Sequence, residues 1–412
     1  MLKNYFKIAI AVLRRRKFFT FISLFGISFT LTILIVLTAF IDHLFSSNYP
    51  DKNKERTLYV SLVHQENPKK GWSMSNPPSY YLLSNYVQKL KTPQIVGIGS
   101  LFSPSNTYLN NRKLTLNIKY TNAEFWQSLN FNYLEGRPYN LQQVNNAEKL
   151  AVISEETRDK YFGKGVKALN RVIETDNVQY RVAGVVQNVA ITKLYAYGDI
   201  YLPYTLSKSD YNNKSLGGNY IGILVAKSEA DVPAMKAEFD AMAAKLPVLE
   251  DGYTKISTHA DSYLASFTRN LFGDENDSGV GKFYQVLGIF IFIFMLLPTL
   301  NLININISRI IERSSEIGVR KAFGASSSTL VYQFIIENII LTVIGGVIGI
   351  LLALVVLQQL NHWSLINNAN LQINFQVLGY AFLLCLFFGL FSGVYPAWRM
   401  SRLHVVNALK AA

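Results

Sequence analysis

RIIERSSEIGVRKAFGASSS, residues 309–328, separates two long apolar runs and holds four basic residues, Arg309, Arg313, Arg320 and Lys321. Lys and Arg concentrated in a short loop between membrane-length runs mark its cytoplasmic side. The stretch patterns as a short amphipathic helix over 308–323. Glu312 and Glu316 stand one turn apart, Glu316 and Arg320 form an i,i+4 pair, and Ile317 and Phe323 offer apolar contact. Gly324 ends this helix, and Ser326, Ser327 and Ser328 open the next. A helix of this kind on the inner face is suited to receive force from a partner. The plainer reading is a connecting loop that lies in the headgroups.

On either side, four apolar runs exceed the roughly 18 residues that separate a spanning helix from a buried core helix. They cover 18–41, 283–307, 330–357 and 375–397, and Glu337 is the one acidic or basic residue among them. Glu337 lies two turns into the third run, within reach of the headgroup region. Lys3, Lys7, Arg14, Arg15, Arg16 and Lys17 precede the first run, Arg399, Arg402 and Lys410 follow the last, and 358–374 has neither Lys nor Arg. Both termini (1–17 and 398–412) and the middle segment 308–329 are therefore expected in the cytoplasm, with 42–282 and 358–374 outside. The basic start and apolar run also fit a signal peptide, but the run is too long and lacks a small-x-small cleavage site.

The formal charge is +13. The cytoplasmic pieces carry much of the excess, and the external region is mixed in sign with no basic run interleaved with aromatics, so nucleic acid is not an expected partner. The single cysteine, Cys385, lies in the fourth run and reads as a small apolar filler. In 42–282, strands are expected at 57–63, 113–120, 149–154, 171–174, 179–189, 199–203 and 220–227. Helices are expected at 79–91, 155–162 and 229–246, with a turn of helix at 122–127 and a loop at 69–79. The mixed order argues for an α+β domain. Its flanks, before 57 and over 259–282, are expected to continue the first two spans as a stalk.

The chemistry-bearing motifs are missing. No Walker A loop is present, and FGKG at 162–165 ends a helix. The five histidines are scattered and no metal-ligand spacing occurs. Glu155 and Glu156 read as helix-start residues behind Ser154, not as a catalytic pair. Gly345, Gly346 and Gly349 in the third run are a close-packing signal, within the chain or between two chains. Pro298 in the second run is a hinge candidate, and Asn301, Asn304 and Asn306 after it are expected to face protein, water or the inner interface.

The string EIGVRKAFGAS at 316–326 resembles the signature of MacB/FtsX-type ABC-transporter permeases. QFIIEN at 333–338, the three glycines, and SGVYPAWRMSRLHVVNALK at 392–410 extend the likeness. The tail departs from the family at Ser401, where Ala is frequent, and at Val406, where Pro is usual. FWQSLNFNYLEGRPY (125–139), AVISEETRDKYFG (151–163) and YRVAGVVQNV (180–189) resemble the family's periplasmic core domain. The resemblance implies four transmembrane helices with a large α+β extracytoplasmic domain between the first two, in a bacterial cytoplasmic (inner) membrane.

It also implies that Glu316, Ile317, Gly318, Val319, Arg320, Lys321, Ala322, Phe323, Gly324 and Ala325 contact a cytoplasmic ABC ATPase. ATP and Mg would be bound by that partner subunit, with no cofactor in this chain. A second permease copy, as a homodimer or heterodimer, and a periplasmic adaptor are further partners it allows. Motion driven by ATP would pass through the membrane to the external domain, in export, efflux or mechanotransmission. Family members with the ATPase fused at the N-terminus differ from this chain, which starts about 17 residues before the first span. A regulatory or sensing membrane protein is the alternative from another class, and a membrane-anchored enzyme is disfavoured by the missing catalytic constellation.

Overall fold

The computed structural model describes residues 10–11, 15, 17–109, 112–208, 211–249, 252–274, 276–312, 319, 323, 326–363 and 368–401. The chain divides into two units. One comprises Met1–His43, Tyr284–Leu365 and Asn370–Ala412, and the other Leu44–Phe283 and Ile366–Ala369.

The first unit is built on four long helices: α1 (Lys17–Phe45), α8 (Val280–Glu312), α9 (Ser327–His362) and α10 (Phe375–Ser401). Three stretches among the described residues are long and apolar enough to cross a membrane: Lys17–Phe45, Val331–His362 and Phe375–Val394. In α8 the described apolar stretch is shorter, Val280–Leu296, so the expected second span is not matched in full. The bundle's core joins Ile27, Leu31, Leu34 and Ile35 of α1 to Met295 and Leu302 of α8, Ala353 of α9, and Ala381 and Cys385 of α10. Many other large apolar side chains of these helices stay exposed, among them Phe21, Phe25, Val355 and Phe387. Exposed apolar surface on that scale belongs in lipid.

The second unit is α+β. Its main sheet has the order β1-β12-β4-β6-β11-β8-β10-β7, with β5 on β6 and β9 on β10. The strands are β1 (Thr57–Val60), β4 (Ile95–Ser100), β5 (Ser103–Leu109), β6 (Arg112–Thr121), β7 (Tyr133–Gly136), β8 (Leu150–Ser154), β9 (Val172–Thr175), β10 (Val178–Val186), β11 (Ile200–Pro203) and β12 (Tyr220–Val225). A second sheet pairs β13 (Lys255–Thr258) with β2 (Val63–Asn67) and β2 with β3 (Trp72–Asn76). Period-two alternation sorts the main sheet's side chains onto two faces. Tyr59, Leu150, Val152, Tyr201, Ile221 and Ile223 enter one core rich in aromatics, with Phe125, Trp126 and Tyr263. The alternate residues form two further clusters. Leu58, Val60 and Leu224 pack with Met235 and Phe239 of helix α6 (Val232–Ala243). Ala151, Ile153, Ile200 and Leu202 form the other.

Local signals account for several elements. Ser154 accepts a hydrogen bond from Thr157 N and caps helix α5 (Glu155–Phe162), which Gly163 ends at φ +103°. The β9–β10 turn sets Asp176 and Asn177 at φ +52° and +60°, the conformation of a tight hairpin. Ser79 caps helix α2 (Tyr80–Asn85), and the expected helix 79–91 continues past it only as a 3-10 turn, Val87–Lys89.

Other expectations are corrected. The single strand expected at 57–63 is two strands in different sheets, because the chain changes partner between Val60 and Val63. The expected loop at 69–79 contains β3, whose side chains are mostly exposed and whose backbone is satisfied by β2. Of the flanks expected as a stalk, α1 continues to Phe45, and residues 273–279 separate helix α7 (Tyr263–Phe272) from α8. In that break, Arg269 of α7 donates to both Asp261 carboxylate oxygens (2.5 and 3.1 Å) and to the Asp274 carbonyl.

Asp261 is buried, its side chain 4% exposed, and Arg269 is half-buried, its side chain 9% exposed. Removing one partner of such a pair strands a buried charge, at a cost of about 3–5 kcal/mol. Arg269→Met is therefore expected to destabilise the external unit by about that amount in denaturant unfolding. A midpoint equal to that of the parent protein would contradict the assignment.

Candidate functional site

Three places in the chain join or end its long helices. The first is the seam of the bundle. A Cβ added at Gly345 would lie 2.8 Å from Ile27, one at Gly346 would lie 2.6 Å from Phe382, and one at Gly349 would lie 2.8 Å from the Ser28 carbonyl oxygen. The glycines thus set α9 against α1 and α10 within one chain. Thr32 Oγ1 donates both to Ser28 O (2.7 Å) and across the seam to Gly349 O (3.1 Å). Among the amides after Pro298, Asn306 is buried and donates to Asn338 Oδ1 (3.0 Å) and to Ser392 O (3.3 Å), which ties α8, α9 and α10 together. Asn304 is exposed, and the Asn301 side chain lies outside the described residues, as does that of Pro298. Glu337 is 1% exposed and accepts from Gln333 Nε2 at 3.1 Å. Its carboxylate is therefore turned into the bundle and not to the surface.

The second place is the segment between α8 and α9, expected on the cytoplasmic side. Of the ten residues read as the ATPase contact, Val319 and Phe323 are described; Glu316, Ile317, Gly318, Arg320, Lys321, Ala322, Gly324 and Ala325 lie outside the described residues. Phe323 N donates to Val319 O at 3.0 Å, one helical turn. The Phe323 side chain is 89% exposed. Ser326 caps α9, its hydroxyl accepting from Thr329 N.

The third place has no counterpart in the sequence reading. The C-terminal end of α1, within the second unit, is held by two lysines. Lys54 Nζ donates to the carbonyls of Leu44, Phe45 and Ser46 (3.4, 3.3 and 2.9 Å). Lys193 Nζ donates to Leu44 O and Ser46 O (3.4 and 3.3 Å). The last carbonyls of a helix have no intrahelical donor and sit at the negative end of its dipole, so ammonium groups there are favourable. Both lysines are buried, and Lys54 also lies 3.6 Å over the Tyr263 ring. Burial and the neighbouring Lys193 charge pull the Lys54 ammonium down to about 7. Nearby Asp51, buried and hydrogen-bonded by Tyr59, is raised above the usual carboxylate range by burial. The one hint in the sequence was two lysines in otherwise unremarkable loops, and only the fold brings them to one helix end.

Among the described residues, no group of three or more His, Cys, Asp or Glu could hold a metal ion. Glu156 is engaged by Lys160 (2.6 Å) and by Asn368 (2.8 Å), and Glu155 by Arg158 (3.4 Å).

Two predictions follow from this geometry. Gly349→Val drives a side chain into the Ser28 backbone and should lower the unfolding temperature in detergent, an overpacking cost of about 1–3 kcal/mol. Gly288→Ala, whose Cβ would meet nothing within 4 Å, should leave that temperature in place. For Lys54, an unfolded lysine holds its proton to about pH 10.5, whereas the folded one releases it near 7. The unfolded state then binds more protons across that window, so stability rises with pH through it. Lys54→Met is expected to flatten that rise in thermal unfolding followed from pH 7 upward.

The comparisons with known proteins bear on the whole chain. Residues 20–242 match the model of the MacB-like periplasmic core domain, and residues 288–405 that of the FtsX-like permease C-terminal domain. The chain is 26% identical over 298 residues to the macrolide export ATP-binding/permease protein MacB of Burkholderia thailandensis, covering 69% of this chain and 41% of that protein. It is 23% identical over 307 residues to the macrolide export ATP-binding/permease protein MacB 2 of Yersinia pestis bv. Antiqua, covering 73% and 42%. The chain thus spans about two fifths of the length of these relatives. Among solved structures, the periplasmic region of MacB from Actinobacillus actinomycetemcomitans aligns with a TM-score of 0.34 and 14% identity, covering 45% of this chain and 84% of that one. With its external domain and its membrane helices each matched to a permease domain, the chain belongs to the MacB/FtsX-like family of ABC-transporter permeases.

Proposed function

We propose that this chain is the membrane subunit of an ATP-driven machine that moves its external domain, in export or mechanotransmission. Four spans cross the cytoplasmic membrane, α8 providing the second, with both termini and 308–329 inside. A separate ABC ATPase subunit binds ATP and Mg and docks on 316–325, and a second permease copy completes the membrane part. Pro298 is the hinge of α8 in this reading.

The observation that carries the reading is the held end of α1. One helix runs from the membrane unit into the external unit, and its last carbonyls are clasped there by Lys54 and Lys193. A helix so gripped transmits a tilt or shift to the domain that grips it, whereas a flexible linker would absorb it. The seam of glycines supports the same reading, since close backbone contact makes α1, α9 and α10 move together. The basic residues of 309–328 and the exposed Phe323 support a protein contact on the inner side.

Charge reversal in the docking segment tests the coupling. Glu316→Lys and Arg320→Glu are expected to abolish most stimulation of the co-expressed ATPase while the permease still inserts at normal levels. ATP turnover equal to that of the parent complex would remove 316–325 as the coupling segment.

A further inference from the structure

A cavity of about 510 Å³ opens in the external unit beyond the ends of β6 and β11. These two strands are parallel neighbours. Asn122 and Glu124, just after β6, and Tyr204, just after β11, line the cavity together with residues of helices α2 and α4 (Leu141–Asn145). The volume lies within the range typical of small-molecule sites.

Four tyrosines and five side-chain amides make up most of the lining. Tyr80 and Tyr204 stack with ring centroids 3.8 Å apart, and the Tyr211 ring stands perpendicular to both, at 6.3 and 5.3 Å. Tyr81 completes the aromatic wall. The one charged residue in the lining is Glu124. Its carboxylate has no hydrogen-bond or ion-pair partner among the described residues, and its charge acts on the Tyr80 phenol. Asn122, by contrast, spends its amide on the backbone, accepting from Ile98 N and Phe125 N.

A half-buried carboxylate without a counter-ion, set among tyrosine rings, creates a negative site with polarisable walls. Ring faces carry negative potential and attract cations, most strongly when the cation is poorly hydrated. The lining offers a single carboxylate, whose one charge matches a monovalent ligand better than a divalent metal ion. We propose that this cavity binds an organic ammonium ion, with its charge against Glu124 and its apolar substituents against Tyr80, Tyr204 and Tyr211. The site needs neither nucleotide nor a partner subunit, so it stands or falls apart from the coupling reading.

Titration calorimetry of the full chain in maltoside micelles tests it, with acetylcholine as the probe and the uncharged isostere 3,3-dimethylbutyl acetate as control. Acetylcholine should bind saturably and the isostere at least about tenfold more weakly. Glu124→Gln, which keeps the side chain's size, should weaken acetylcholine by a similar factor and leave the unfolding temperature unchanged. Tyr204→Phe should retain binding and Tyr204→Leu should lose it, because the ring and not the hydroxyl meets the cation. No saturable acetylcholine binding, equal affinity for the isostere, or full affinity in Glu124→Gln would each overturn the assignment.

Discussion

A helix that leaves a bilayer and ends inside a folded domain exposes its last carbonyls to burial. Those groups must find donors or weaken the fold by a few kcal/mol each. Here Lys54 and Lys193 supply them, and both ammoniums sit where the helix dipole is negative. The domain's aromatic core is organised around the same place. Tyr263 lies under Lys54, Tyr59 packs edge-on against Tyr263, and Tyr59 donates to buried Asp51. Phe45, the last residue of α1, meets Tyr263, Phe267 and Phe283. The grip on α1 is thus part of the core and not an ornament on its surface.

The bundle solves a different problem with different means. Lipid offers no hydrophobic drive between helices, so association rests on close packing and on polar groups that find each other. Glycines on α9 bring its backbone within hydrogen-bonding reach of Thr32 on α1. Gly393 and Gly389 on α10 make room for Asn338 and Thr342. Asn306 then closes the network onto Asn338 and the α10 backbone. An amide left facing hydrocarbon would be costly, which explains why Asn306 is buried among partners.

Legibility varied with how local each cause was. Helix α5 was readable because Ser154 and Gly163 lie beside it, and the β9–β10 hairpin because Asp176 and Asn177 tolerate positive φ. Strand β3 was not read: its brief Trp72/Met74 alternation lies in a stretch rich in Pro, Gly and Ser, its side chains are exposed, and its partner β2 provides the hydrogen bonds. Strands β5, β7 and β13 and helix α4 escaped for a related reason: they are short or largely exposed, and pairing or a capping box, not apolar spacing, holds them. The single strand expected at 57–63 failed because alternation cannot show a change of partner. Glu337 was placed near the headgroups from its position along the span, while its burial depends on which face α9 turns to its neighbours.

Run length, the placement of Lys and Arg, and capping residues determined on their own that this is a membrane chain with an α+β domain between its first apolar runs. Those signals are local or compositional, and bilayer thickness and backbone geometry act on them directly. Only the tertiary structure decided the strand order, the meeting of Asn306 with Asn338, and the convergence of Lys54 and Lys193 on one helix end. Each of these joins residues far apart in the chain. Such contacts form because burial leaves a polar group without water, and no local pattern records which distant group will replace it.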